Sequence, residues 1–247
     1  MTPTGDDPAA LREHARPAVA SLAAHEGFPG HDWYYRYGRA RSASIPRIRW
    51  LTPGGVEDSA SMWGDAMSSE GWALYVERLV GEPRPDFPGG FYTPEERLFQ
   101  LQNQLWRDAR VVVDTGIHCG FMSFEDAVSY FSRNVLFVKG LVSVDPASNP
   151  DAAERAAVAS AQREIFRYSK WPTQAVTYFL GKAEILALRD ECRRIEGPAF
   201  SEKRFHEDFL SEGQIPPGLF RSRLLAKARA RSAATGAPDA TNVGISR

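Results

Sequence analysis

The sequence predicts an all-α protein. Apolar residues recur at three- and four-residue intervals along most of the 247 residues, and segment after segment opens with a capping residue or a proline. No stretch shows the strict apolar–polar alternation of a half-buried strand, and nothing repeats at a fixed period.

The first helix is read from Pro8 through AALREHARPAVASLAAHE. Leu11, Ala15, Val19, Leu22 and Ala23 form its apolar side, and Pro17 is expected to kink it. The second runs from about Asp65 to Val80 on Met67, Trp72, Leu74, Tyr75 and Leu79. Thr93 then precedes Pro94, Glu95 and Glu96, which together give an N-cap, a proline at the first helical position and acids in the first turn. That helix extends to Val113 or beyond. Ser123 and Asp126 open another, which ends near Phe137. Asn149 and Pro150 open the next, up to Lys170. Pro172 starts TQAVTYFLGKAEILALRDECRR, and Ser201 caps a short helix through Leu210. Glycine- and proline-rich connections fall at residues 51–55 and 81–90.

Composition narrows the function classes. Lys and Arg total 30 against 31 Asp and Glu, a net charge of −1, which argues against a general grip on nucleic acid. No window approaches ~18 uninterrupted apolar residues, so no membrane span is expected. The opening MTPTGDDPAALREHARP carries acids and lacks the apolar core of a secretory signal, so the expected location is cytoplasmic. Cys119 and Cys192 make neither a metal-binding pair nor a disulfide framework. The expected organisation is one helical catalytic-type domain over residues 1–225, followed by a disordered tail over 226–247 with little apolar content. Arg221, Arg223, Lys227, Arg229 and Arg231 are read as a solvated helix face.

The chemistry concentrates in His25-Glu26-Gly27-Phe28-Pro29-Gly30-His31. A His-Glu pair followed by a second His is related to the HExxH element, in which two histidines one helical turn apart bind zinc and the Glu activates the metal-bound water. Here the histidines are six apart, and an unbroken helix would rotate them by ~600° and separate them by ~9 Å. They meet at one metal only if the helix breaks between them, which Pro29 and Gly30 favour. The plainer reading is a helix C-terminus with two unrelated histidines. Downstream, Glu70 and Glu77 sit seven apart in SEGWALYVER, on one helix face beside Leu74. Glu70 then serves as a third ligand, with Glu77 holding a histidine from behind. The alternative is a solvated acid pair, with Glu77 bonded to a nearby Arg.

The blocks HEGFPGH, EGWALYVERL, LWRDARVVVDTGIH, EIFRYSKWPTQAVTYFLGKAEI and FHEDFLSEGQIPPGLF occur in this order between His25 and Phe220. With these intervals the chain resembles the domain-of-unknown-function 885 (DUF885) family, placed among zincin-like metallopeptidases. The resemblance implies a zincin-like helical metallopeptidase-type fold, in which His-Glu-x-Gly-His is lengthened by two residues. It implies His25, His31 and Glu70 as zinc ligands and Glu26 as general base. Members of that family usually carry a long helical region before the His-Glu pair, and this chain has 24 residues there. A more open cleft, a partner chain as second wall, or loss of peptidase activity would each follow.

Other roles are assigned from residue type and position. His118 ends a long helix and can polarise a carbonyl or hold the attacking water, or simply cap the helix C-terminus. Tyr178 can donate its phenol to an oxyanion or belong to the core. Arg167 and Tyr168 precede the Lys170-Trp171-Pro172 break and are read as substrate-binding, with Arg167 as a carboxylate clamp or a structural ion pair. Asp114 is either an acceptor behind a ligand histidine or an exposed acid. His206, His14 and the aromatics Trp33, Tyr34, Tyr35 and Tyr37 read as structural or surface groups, although the aromatics can also line a pocket.

Three functions are compatible with this pattern. The first is a zinc-dependent hydrolase of a peptide or amide bond by metal-activated water. The second is a metal-dependent enzyme acting on a small metabolite through carbon–carbon cleavage, ring opening or elimination. The third is a non-catalytic helical module or a homodimer. His/Glu ligation favours Zn²⁺, while Mn²⁺ and Co²⁺ are also compatible. The expected substrate is a small peptide or small molecule.

Overall fold

The structure, a computed structural model, describes residues 15–46, 49 and 66–235. Among the described residues every regular element is helical, in agreement with the all-α reading. The helices are α1 (Arg16–Glu26), α2 (His31–Ala40), α3 (Ala66–Val80), α4 (Pro94–His118), α5 (Phe124–Asn134), α6 (Ala152–Lys170), α7 (Thr177–Glu196), α8 (Glu202–Leu210) and α9 (Pro217–Thr235). The expected helix start at Pro8, His14, the connection at residues 51–55 and the last part of the expected tail lie outside the described residues.

Several starts follow directly from the capping chemistry. Thr93 and Glu96 form a reciprocal capping box at α4, as do Ser123 and Asp126 at α5. Ser201 caps α8 through the Arg204 amide. At α6 the cap is Asp151, just beyond the expected Asn149-Pro150 opening.

Other expectations change. Pro17 stands in the first turn of α1, where its missing N–H is harmless, and so does not kink a helix interior. The helix expected from Pro172 begins only at Thr177, because residues 171–176 form turns, with Thr173 at φ 70°. The Thr173 amide donates to Asp114 Oδ1 at 3.2 Å, which uses a side chain where a helix would use a carbonyl. Two helices carry no prior signal: α2, and α9 as a buried element that continues past residue 225 to Thr235.

The chain's residues group into two compact units. Unit one contains residues 1–24 and 77–179, and unit two residues 25–76 and 180–247; the boundary falls inside α1, α3 and α7. In unit one, α4, α5 and α6 pack around Val113, Phe131, Val158, Ile165 and Tyr168. In unit two, Trp72 stacks on Phe209, and Phe209 meets Phe220 edge-on, which ties α3, α8 and α9 into one aromatic core. The Tyr37 hydroxyl donates to the Glu207 carbonyl, joining α2 to α8.

The basic run on α9 is not merely solvated. Arg221 pairs with Glu191, Arg223 with Glu212, Lys227 with Asp208, and Arg231 with Glu196 and Asp208. Between these residues Leu224, Leu225 and Ala228 are buried, so the helix is held by an apolar stripe flanked by ion pairs.

Candidate metal centre

All three expected ligands belong to unit two. Helix α1 stops at Glu26 and α2 starts at His31, so the His-Glu element is broken where spacing required it. Gly30 occupies the N-cap of α2. The intervening loop is pinned by the Trp72 indole, whose Nε1–H donates to the Pro29 carbonyl at 2.9 Å. Trp72 stands two residues after Glu70 on α3, so one helix supplies both the expected third ligand and the anchor of the loop between the two histidines.

The loop brings the histidines together. Glu70 Oε2 lies 3.3 Å from His25 Nε2 and 3.2 Å from His31 Nε2. One ligand atom from each of the three residues falls within 4.8 Å of the others, and among the described residues this is the one such group of His, Cys, Asp or Glu. A tetrahedral zinc ion bonded at ~2.0–2.2 Å holds its ligand atoms about 3.3 Å apart, so the donor set and its spacing fit zinc. His25 is 5% exposed. Burial pushes the Glu70 carboxyl up, but hydrogen bonds from His25 and His31 outweigh burial and bring it down to about 2. The carboxylate therefore carries its charge at neutral pH, between the two imidazoles.

Ring packing sets the orientation of His31. Its Nδ1 is buried and has no hydrogen-bond partner among the described residues. The ring instead meets His25 edge-on at 4.9 Å between centroids and lies nearly parallel to Tyr35 at 6.0 Å, with 18° between planes. Tyr35 is one turn after His31 on α2 and on the same face.

Glu26, the expected base, is exposed next to His25. Burial raises the Tyr35 phenol pKa, a hydrogen bond from Ser69 lowers it, and the charges of Glu70 and Glu26 raise it, leaving it above the ordinary value. The charges of Glu70 and Glu26 thus both act on this one phenol. Sequence reading left Tyr35 among structural aromatics. Its spacing of four from His31 was the signal that could have singled it out.

The remaining expected site residues belong to unit one. Glu77 is 1% exposed, which excludes a solvated acid. Its Oε1 lies 3.6 Å from Arg107 Nη2, and its carbonyl accepts from the Tyr92 hydroxyl at 3.0 Å. His118 Nε2 is 3.0 Å from the Tyr168 carbonyl, an acceptor, so that nitrogen carries the proton. Asp114 is buried, and its Oδ1 accepts from Thr173 and lies 3.9 Å from His118 Nε2. The Tyr178 ring sits under the Arg110 guanidinium, 5.1 Å from Cζ.

Arg167 and Tyr168 converge on Glu164. Arg167 Nη2 donates to Glu164 Oε2 at 3.1 Å, and the Tyr168 hydroxyl donates to the same oxygen. Trp106 Nε1–H and Arg110 Nε–H donate to the Tyr168 oxygen at 3.2 and 2.9 Å. Burial raises the Glu164 carboxyl, and the Tyr168 and Arg167 hydrogen bonds override that effect to leave it below its ordinary value. Tyr168 is 1% exposed and fully engaged, which makes it a core tie between α4 and α6. Tyr168→Phe is expected to cost about 2 kcal/mol, because it strips a partner from three half-buried polar groups. In thermal unfolding this is a fall of roughly 6 °C; an unchanged midpoint would show that the network carries no net stability.

A family model described as "Bacterial protein of unknown function (DUF885)" matches residues 6–143 and 152–224. No curated protein matches the chain. Among solved structures, the chain is similar to a candidate lipoprotein from Colwellia psychrerythraea, at 27% identity and TM-score 0.63, covering 87% of this chain and 31% of that one. It is also similar to a candidate lipoprotein of unknown function from Shewanella oneidensis, at 27% identity and TM-score 0.65, covering 91% of this chain and 35% of that one. The chain therefore spans about a third of the length of each of these structures.

Proposed function

The chain belongs to the DUF885 family, and we propose that it is a zinc-dependent hydrolase of a peptide or amide bond. The observation that carries this reading is the convergence of one ring nitrogen each of His25 and His31 and a Glu70 carboxylate oxygen within 4.8 Å, with the exposed Glu26 adjacent to His25 in sequence. Two neutral nitrogens and one carboxylate form a hydrolytic zinc donor set, which leaves a fourth position for substrate or water. A zinc ion held there would supply Lewis acidity toward a carbonyl and make water acidic enough to attack near neutral pH.

The chain's own residues account for the proton movements. Glu26 accepts a proton from the attacking water as the water oxygen bonds to the carbonyl carbon. It then returns that proton to the leaving nitrogen as the carbon–nitrogen bond breaks, so one carboxylate serves both halves of the reaction. With the ion bound, His25 and His31 would each offer a ring-nitrogen lone pair and Glu70 a carboxylate oxygen. The test is to load the protein with one equivalent of zinc and assay a panel of short peptides and acylated amines. Hydrolysis is expected with zinc and is expected to vanish when a chelator removes it. Full zinc occupancy with no turnover of any peptide or amide would overturn the hydrolase reading while leaving the metal site.

A further inference from the structure

A metal centre binds tightly when its donors are gathered before the ion arrives, because ordering them on binding consumes part of the binding free energy. Here His25 stands in the last turn of α1, His31 opens α2 and Glu70 lies on α3. The start of α2 does little to fix its own direction. Gly30 has no side chain to cap it, and Asp32 in the first turn bonds Arg36 of the same helix at 2.8 Å. Tyr34, one turn after His31, supplies an external tie. It is 4% exposed, and its hydroxyl donates to the Gly213 carbonyl at 3.3 Å. With its proton used there, the same oxygen accepts from Ser68 Oγ on α3 at 2.8 Å. The Gly213 acceptor is fixed in turn: the residue sits at φ 79°, which suits glycine, and the next amide, Gln214, donates to the Arg49 carbonyl.

We propose that Tyr34 is a positioning residue of the metal centre, whose hydroxyl, held between Ser68 and Gly213, sets the direction of α2 and so presents His31 to the ion. The role rests on the zinc-site reading. Ser68 and Trp72 are four apart on α3 and therefore share a face. Trp72 holds the Pro29 carbonyl and Ser68 holds Tyr34, so the two anchors bracket His31 from either side in sequence. Held at Pro29 alone, α2 could pivot about that point and carry His31 away from Glu70. Held at Tyr34 as well, the segment is fixed at two points along the helix that bears the third ligand. Tyr34 is not one of the three clustered ligand residues, so it acts through the helix and not on the ion.

The experiment measures zinc affinity of the full chain by chelator competition, and the visible absorption of the Co²⁺-loaded chain, which reports the angles between metal ligands. Tyr34→Phe keeps the buried ring and removes both hydroxyl bonds. Its zinc affinity is expected to fall about tenfold, with Co²⁺ bands altered in position or intensity. Ser68→Ala leaves the Gly213 bond in place and is expected to lose about threefold. Leu225→Ala truncates a buried side chain of α9 outside this tie, and it is expected to lower the unfolding midpoint while binding zinc within about twofold of wild type. Unchanged zinc affinity or an unchanged Co²⁺ spectrum in Tyr34→Phe would overturn the role of Tyr34. An equal loss of zinc affinity in Leu225→Ala would overturn it too, since the effect would then be one of general stability. Should Tyr34→Phe fail to fold, Ser68→Ala decides on the same terms. Each of these results leaves the metal centre standing, whereas a folded wild type that takes neither ion would overturn the zinc-site reading itself.

Discussion

Glu26→Gln is expected to bind zinc as the native chain does and to lose hydrolysis by about 10²- to 10⁴-fold. Glutamine keeps the shape and hydrogen-bonding capacity of the side chain but cannot take a proton from water near neutral pH. Glu26 is exposed and is not one of the three clustered ligand residues, so the substitution separates proton transfer from metal binding. Zinc per chain and turnover on the same preparation are the two readings. Retained turnover would assign the proton transfer to another group, and loss of zinc would make Glu26 part of the metal's support.

Gly181→Ala is expected to have the largest effect on stability. A Cβ at Gly181 would stand 2.0 Å from the Met67 carbonyl oxygen and 2.7 Å from the Gly71 Cα. A Cβ at Gly71 would stand 2.5 Å from the Gly181 Cα. Both clashes are with backbone, so no rotamer change relieves them, and α3 and α7 must separate. Overpacking of this kind costs about 3 kcal/mol or more, or roughly 10 °C in the unfolding midpoint. Glu70 precedes Gly71 on α3, so the displaced helix is also expected to weaken zinc binding. An alanine variant with unchanged midpoint and zinc affinity would contradict the close helix contact.

Helix starts were legible wherever a side chain does the capping. Thr93 with Glu96 and Ser123 with Asp126 each satisfy two terminal groups reciprocally, and that chemistry is written within four consecutive positions. Helix α2 carries no such signal, because Gly30 at its N-cap has no side chain to accept a bond. Its aromatics at 33, 34, 35 and 37 also blur the apolar period. The start of α7 was misplaced because Pro172 is compatible with a helix, while the actual turn depends on Asp114, fifty-nine residues away. Local reading has no access to such a partner.

The candidate site was legible in its ligands and not in its surroundings. His25, Glu26 and His31 announce themselves by residue type, and the broken spacing demanded the loop that the Trp72 indole holds. Tyr35 escaped for the same reason that α2 did: the spacing of four from His31 has meaning only once that segment is known to be helical.

The most direct measurement is zinc content per chain by mass spectrometry on protein purified without chelator and then offered zinc, compared with His25→Ala and Glu70→Ala. One zinc per wild-type chain is expected, lost or weakened by about a hundredfold or more in each variant, because each removes one of three ligands. A folded wild type that takes up no zinc, or variants that hold it as tightly as wild type, would contradict a metal centre built from His25, His31 and Glu70.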